Sequence, residues 1–207
     1  AQWMVLKNGI PCDKLDVKGL DVVRSSFPKA FQDFMAKMLK EILMGKTNQE
    51  INESLLEFKK SLPNLRINKI AKGGAIKELS KYDKGKWRKD SGLAIATFQK
   101  GTPAHVKAGI TYNRLLKFFE CPFKYEPIRD GEKVKWVYLK SNPLGIETVA
   151  FRDYNDPIEI LDFINQYVDR DLIYKAELEN KLTDFYNALK WEMASADSQN
   201  AKKFFEF

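Results

Sequence analysis

With 207 residues, 30% of them charged and a net charge of +7, the chain is long enough for one ordinary domain with a sizeable core and basic enough to expect an anionic partner. Its two cysteines, Cys12 and Cys121, lie far apart and it has a single histidine, which excludes a disulfide framework and a tetrahedral zinc set and points to a reducing compartment. No apolar run approaches the roughly 20 residues that cross a bilayer and no secretory signal is legible, so a cytoplasmic chain without a membrane partner is expected.

The opening "WMVLKNGIPCDKLDVKGLDVV" sets apolar runs on either side of Asn8-Gly9 and predicts a β-hairpin. Its uncapped apolar start, "AQWMVL", predicts pairing with a sheet neighbour upstream. In "SSFPKAFQDFMAKMLKEILMGK", Ser25 and Ser26 are the expected caps and Pro28 a first-turn residue. Phe27, Phe31, Phe34, Met38 and Ile42 recur at helical spacing, and Gly45 is a stop. "TNQE" at 47–50 is a capping box ahead of a second helix with Ile51, Leu55, Phe58 and Leu62 as its stripe, ended by Pro63.

From 65 to 101 the periodicity fades, and "RINKIAKGGAIKELSKYDKGKWRKDSGLAIATFQKG" predicts a long functional loop without strong secondary structure. Charge concentrates here: between 65 and 117, thirteen Lys and Arg stand against the acids Glu78, Asp83 and Asp90, a local +10 that leaves the remainder at −3. Thr102 and Pro103 are expected to cap and open a helix over "PAHVKAGITYNRLLKFF", with Val106, Ile110, Asn113, Leu116 and Phe119 on one side. "RDGEKVKWVYL" predicts an Asp-Gly hairpin and a strand, and "ETVAF" another strand. Asp156-Pro157 starts a short helix, and "DRDLIYKAELENKLTDFYNALKW" a last long one with Leu178, Leu182, Phe185 and Leu189 as its stripe. The expected class is α+β, mainly helical with a small antiparallel sheet. Beyond Trp191, "EMASADSQNAKK" reads as a flexible tether.

No catalytic or metal-ligating residue is assigned. His105 has no Ser, Cys or carboxylate arrangement that would make it a base or nucleophile, and reads as structural or phosphate-facing. Asp169 and Asp171 form a D-x-D, but acids at a helix start complement the helix dipole without any metal. "KGG" at 72–74 lacks the Gly-Lys-Ser/Thr ending of a phosphate-binding loop. Lysines strung along a glycine-hinged segment, interleaved with Tyr82, Trp87 and Tyr112, suit a sugar-phosphate backbone followed without base reading. The helix start beside Lys107 adds backbone N–H donors for one more phosphate.

Five stretches, "KGLDVVRSSFPKA", "LSKYDKG", "KGTPAHVKAGITYNRLL", "DGEKVKWVYLKSNPLG" and the aromatic terminus "NAKKFFEF", together resemble the carboxyl end of family B replicative DNA polymerases, in the same order. The pattern is most similar to the T-even-type bacteriophage enzymes. The resemblance implies that residues 1–24 end a palm domain, 25–193 form a thumb, and 194–207 are a flexible tail with a clamp-binding peptide. It implies a thumb that holds primer-template duplex through phosphates, with Lys81, Tyr82, Lys100, His105, Lys107, Tyr112 and Arg114 as the DNA-binding residues. Lys107 stands where that family usually has Arg, and Glu147 where it has a lysine. Phe204, Phe205 and Phe207 are the implied clamp-binding residues.

The implied partners are primer-template DNA, a chain bearing palm and exonuclease, and a sliding clamp. The family's two-metal carboxylates lie outside these motifs, so magnesium is implied in the complementary palm, no cofactor in this chain, and no activity from this chain alone. The implied role is thus the thumb fragment or subunit of a split or excised DNA-directed DNA polymerase in phage replication, in the host cytoplasm if phage-encoded. The competing expectation is a free-standing, nonspecific nucleic-acid-binding accessory protein with a clamp-docking tail.

Overall fold

The computed structural model describes residues 2–7, 10–17, 24–83, 87–90, 93–96, 98–121 and 123–194, and side chains within 24–83, 98–121 and 123–194. Two units divide the chain: Ala1–Arg66 with Tyr174–Phe207, and Ile67–Ile173 between them.

In the first unit, β1 (Gln2–Lys7) and β2 (Ile10–Val17) pair antiparallel with Lys7 opposite Ile10, so the Asn8-Gly9 hairpin signal is read correctly. Helix α1 (Lys29–Leu43) follows, but neither Ser25 nor Ser26 caps it. Pro28 takes the N-cap position and makes no side-chain cap bond. The lead-in is held instead by Gln32, whose Nε2 donates to the carbonyls of Arg24 at 2.8 Å and Phe27 at 3.0 Å.

The far end of α1 stops as the glycine predicts. Gly45 has φ +89°, its N–H donates to the Ile42 carbonyl, and Lys46 N–H donates to that of Glu41. These are the two backbone bonds of a Schellman ending. An ion pair of 2.9 Å between Lys46 and Glu41 replaces its usual apolar contact. Helix α2 (Asn48–Ser61) starts with the full capping box of Thr47 and Glu50, and Leu62–Asn64 form a 3-10 turn containing Pro63. Phe58 of α2 stacks on Phe34 at 4.3 Å and meets Phe31 edge-on at 6.0 Å. Phe31, Met35, Leu39, Ile51 and Leu55 are buried between the two helices, each such side chain contributing about 1.5–3 kcal/mol of transfer free energy.

The last helix corrects the expected stripe. Lys175–Glu179 form a π-helical turn leading into α8 (Asn180–Leu189), and the buried set is Tyr174, Leu178, Leu182 and Tyr186. Phe185 is only half-buried and Leu189 is exposed. Leu178 and Leu182 are buried as expected, but the core then takes a step of four to Tyr186, so the expected step of three to Phe185 leaves the buried face.

Asn52 ties α2 to α8. Its Oδ1 accepts from the Tyr186 hydroxyl and the Ala194 N–H, both at 2.9 Å, while its Nδ2 donates to Asn48 Oδ1 and the Glu192 carbonyl, both at 3.0 Å. All the donor and acceptor sites of the amide that geometry allows are used on one residue.

The second unit overturns the expected long loop. Within 65–101 lie α3 (Ile67–Ile70), β3 (Lys72–Ala75), α4 (Leu79–Tyr82) and the antiparallel pair β4 (Trp87–Asp90) and β5 (Leu93–Ala96). β3 pairs with β6 (Lys133–Tyr138), which pairs with β7 (Thr148–Phe151), giving a three-stranded antiparallel sheet in the order β3-β6-β7. Glycine is a poor strand former, which hid "KGGA" from pattern reading. Its place is set by close approach: a Cβ on Gly74 would stand 3.3 Å from His105 Cβ and 3.4 Å from Trp136 Nε1.

Helix α5 (Ala104–Phe118) packs along β7, with Val106, Ala108, Gly109, Ile110, Thr111, Tyr112, Arg114, Leu115 and Leu116 all buried. Burial runs almost all round the helix rather than along the one predicted face. Gly109 lets it approach Ile76, whose Cδ1 would lie 3.2 Å from an added Cβ. Asn113 brackets Ile128, donating to its carbonyl at 2.9 Å and accepting its N–H at 2.7 Å.

Asp130-Gly131 makes a turn into β6 but no hairpin. Gly131, at φ +86°, donates to the Ile76 carbonyl, so the strand beside β6 is β3 and not one next to it in sequence. α6 (Ile158–Tyr167) has Pro157 at its N-cap, and Asp156 accepts from Arg152 N and Asp153 N rather than from the helix. Asp169 accepts the Leu172 N–H at 2.9 Å at the start of α7 (Arg170–Tyr174), a capping role for half of the D-x-D. The expected α+β class, mainly helical with a small antiparallel sheet, is what the described residues show.

Candidate nucleic-acid interface

All seven residues expected to meet DNA belong to the second unit, and α5 organises them. Lys107 and Arg114, seven residues apart, lie on one side of that helix. Phe98 lies between them, its ring 5.6 Å from Lys107 Nζ and 5.1 Å from the Arg114 guanidinium. Lys107 is part-exposed and pairs with Glu147 at 3.1 Å. Glu147 is held out by the loop before β7, where Asn142 Oδ1 accepts from Leu144 N and Ile146 N and its Nδ2 donates to the Lys140 and Ile146 carbonyls.

Lys100 sits at the tip of the turn into α5. Thr102 N and Oγ1 both donate to the Gln99 carbonyl, at 3.2 and 2.6 Å, and Gly101 takes φ +82°, leaving Lys100 exposed. Thr102 therefore fastens the turn and does not cap the helix. Pro103 is the N-cap and supplies no side-chain bond to the first-turn amides.

Lys81 and Tyr82 lie on α4, which packs on α5. Glu78 heads this short helix with a left-handed backbone at φ +58°, a conformation that costs a non-glycine residue about 1–3 kcal/mol. Asp130 Oδ1 accepts the Leu79 N–H at 2.8 Å and fixes the strained entry. Glu78 then bonds Lys81 at 2.9 Å, which raises the Lys81 pKa above its ordinary value. Lys81 Nζ also lies 5.1 Å from the Tyr82 ring, and Asp83, one residue on, binds Arg114 at 2.8 Å.

His105 faces a different way. It is two residues from Lys107, about 200° round the helix, and lies against Gly74 and Trp136. The two do not share one ligand. Burial and then the charge of Lys72 hold the His105 pKa below its ordinary value, so its imidazole is neutral at physiological pH and offers one donor and one acceptor.

Tyr112 and Arg114 are below the surface. Tyr112 is fully buried, and its hydroxyl accepts from Arg152 Nη1 at 3.0 Å, while burial pushes its pKa well up. Arg152 is clamped in turn by Glu132, through Nε at 2.6 Å and Nη2 at 3.2 Å. Arg114 is 8% exposed and committed to Asp83. Neither is placed to touch a phosphate. Phe98 and Lys72, whose Nζ lies 4.9 Å from the Trp136 ring, were missed by sequence reasoning, and Glu147, noted only as standing where the family has a lysine, was not paired with Lys107. Only the F-x-K order of Phe98 and Lys100 gave a local signal for any of them.

Phe204, Phe205 and Phe207 lie outside the described residues. Among the described residues no group of three or more His, Cys, Asp or Glu could hold a metal ion, so the donor set fits no two-metal centre and no step is assigned to magnesium here. Among the same residues no helix is long and apolar enough to cross a membrane.

No family model matches the chain. Over 163 residues it is 25% identical to the DNA-directed DNA polymerase of Enterobacteria phage T4. That span is 78% of this chain but 16% of the phage enzyme, so the chain matches about one sixth of its relative's length. Along most of its length, then, this chain is a distant relative of one stretch of a phage DNA-directed DNA polymerase.

Proposed function

We propose that the chain is the thumb-bearing portion of a DNA-directed DNA polymerase, a fragment or separate subunit that grips primer-template duplex through its phosphates. The observation that carries this reading is the likeness to a phage polymerase over 78% of the chain. The second unit supports the gripping role. Lys81 and Lys100 are exposed and Lys107 is part-exposed, set on α4, the turn into α5 and α5 itself, and they offer charge suited to phosphates. Tyr82 supports Lys81 from its ring face, and His105 adds a neutral donor. Tyr112 and Arg114 hold the grip from beneath through Arg152 and Asp83. Phe204, Phe205 and Phe207 dock the tail to a sliding clamp, and a palm-bearing chain supplies the metal carboxylates.

The test is duplex binding by the 207-residue chain across a salt series. Affinity should fall steeply between about 50 and 200 mM salt; Lys100→Gln should flatten the log–log slope by about 0.9, and Lys81→Gln and Lys107→Gln, whose lysines are already ion-paired, should flatten it by less. Binding that ignores salt, or slopes unchanged in all three variants, refutes the grip. Adding the palm-bearing chain should give template-dependent synthesis, and removing residues 202–207 should abolish its clamp dependence alone.

A further inference from the structure

Several ion pairs surround α4 and α5, and they are not equivalent. Asp83 and Arg114 form a pair whose arginine is 8% exposed and whose place in the fold closes α4 onto α5. The acid is 44% exposed, but the buried arginine ties this pair to the packing of the two helices. Glu78–Lys81 and Glu147–Lys107 differ: the carboxylates are 58% and 73% exposed, and their lysines 53% and 29%. Both acids are held in position by structure behind them, Glu78 by its left-handed backbone and the Asp130 bond to Leu79, Glu147 by the Asn142 loop. Between 65 and 117 only three acids stand among thirteen basic residues, and one of them is spent on Lys81.

We propose that Glu78 and Glu147 are built-in competitors for the phosphates of the duplex, each occupying a gripping lysine until a phosphate oxygen displaces it. The inference rests on the reading of this unit as a duplex grip and adds its regulation. A phosphate arriving at Lys107 exchanges one anion for another, so the net gain is small and the contact is easily broken. The ammonium keeps an anionic neighbour before, during and after the exchange, which lowers the cost of moving from one phosphate to the next. The grip is thereby weaker than its lysine content implies, and it is suited to a duplex that must slide past.

Glu78→Gln and Glu147→Gln in the full chain test this against a plain duplex. Each should tighten binding about two- to fivefold at low salt, the equivalent of an exposed ion pair no longer competing. Each should also steepen the log–log salt slope, by up to about one, since no freed carboxylate then recaptures a cation. Asp162→Asn, at an exposed acid on α6 that belongs to neither of these pairs, removes the same charge and should give less than half the gain. Unchanged affinity in both Glu variants, with Lys107→Gln still weakening binding, overturns the competition and leaves the grip standing. An equal gain from Asp162→Asn overturns it too, in favour of net charge alone. If Lys81→Gln and Lys107→Gln leave binding unchanged, the grip and this inference fall together.

Discussion

Replacing Asn52 by Ala gives a sharp test of how the first unit is held. The substitution removes a side chain that accepts from Tyr186 and Ala194 and donates to Asn48 and Glu192. Tyr186 is 2% exposed, so its hydroxyl is left without water or partner. At about 1–3 kcal/mol for that orphan and about 1 kcal/mol for the two backbone bonds together, Asn52→Ala should lose about 2–4 kcal/mol in urea unfolding. Asn52→Asp keeps both accepted bonds and loses both donations, and should lose about 1 kcal/mol. Tyr186→Phe removes the hydroxyl itself, so the double variant should fall short of the summed losses by about 1 kcal/mol or more. Amide exchange at Ala194 should lose its protection in Asn52→Ala. Full additivity, or an Ala194 amide equally protected in both proteins, would refute the reasoning.

Two further outcomes are expected. Gly74→Ala should lower the melting temperature, because the added Cβ meets His105 and Trp136 at 3.3 and 3.4 Å and overpacking costs about 1–3 kcal/mol; a rise would mean the entropy lost from the unfolded chain outweighs the contact. Burial pushes both Tyr174 and Tyr186 up to about 12 from an ordinary value of 10.0. Their folded pKa values are raised, so their contribution is fully present below pH 10.0 and is lost as pH rises toward 12; a flat unfolding free energy over that window, with both phenols ionising near 10.0 by absorbance, would contradict it.

What the sequence disclosed was what depends on near neighbours. The box of Thr47 and Glu50, the stop at Gly45 and the turn at Asn8-Gly9 need only a few adjacent residues, and each was legible. "KGGA" was not, since glycines carry no strand pattern and its partner, β6, begins at Lys133. The stripe of the last helix slipped after Leu182, where the core steps by four to Tyr186 and not by three to Phe185. At the interface the run of lysines was plain, but Arg114 and Tyr112 read as surface residues, and only the fold shows them buried with Asp83 and Arg152 as their partners. Glu147, forty residues from Lys107, could not be paired with it by spacing.

The division of the chain bears on how it is made. Ile67–Ile173 is continuous, while the unit around it needs residues from both sides, Ala1–Arg66 and Tyr174–Phe207. During synthesis the inner unit has all its strands in hand once α7 emerges, whereas the unit around it is complete only when α8 follows. The Asn52–Tyr186 bond joins positions 134 apart, so it can form only when the last helix has been translated. Closing a loop of that length carries an entropic cost that grows only slowly with its length.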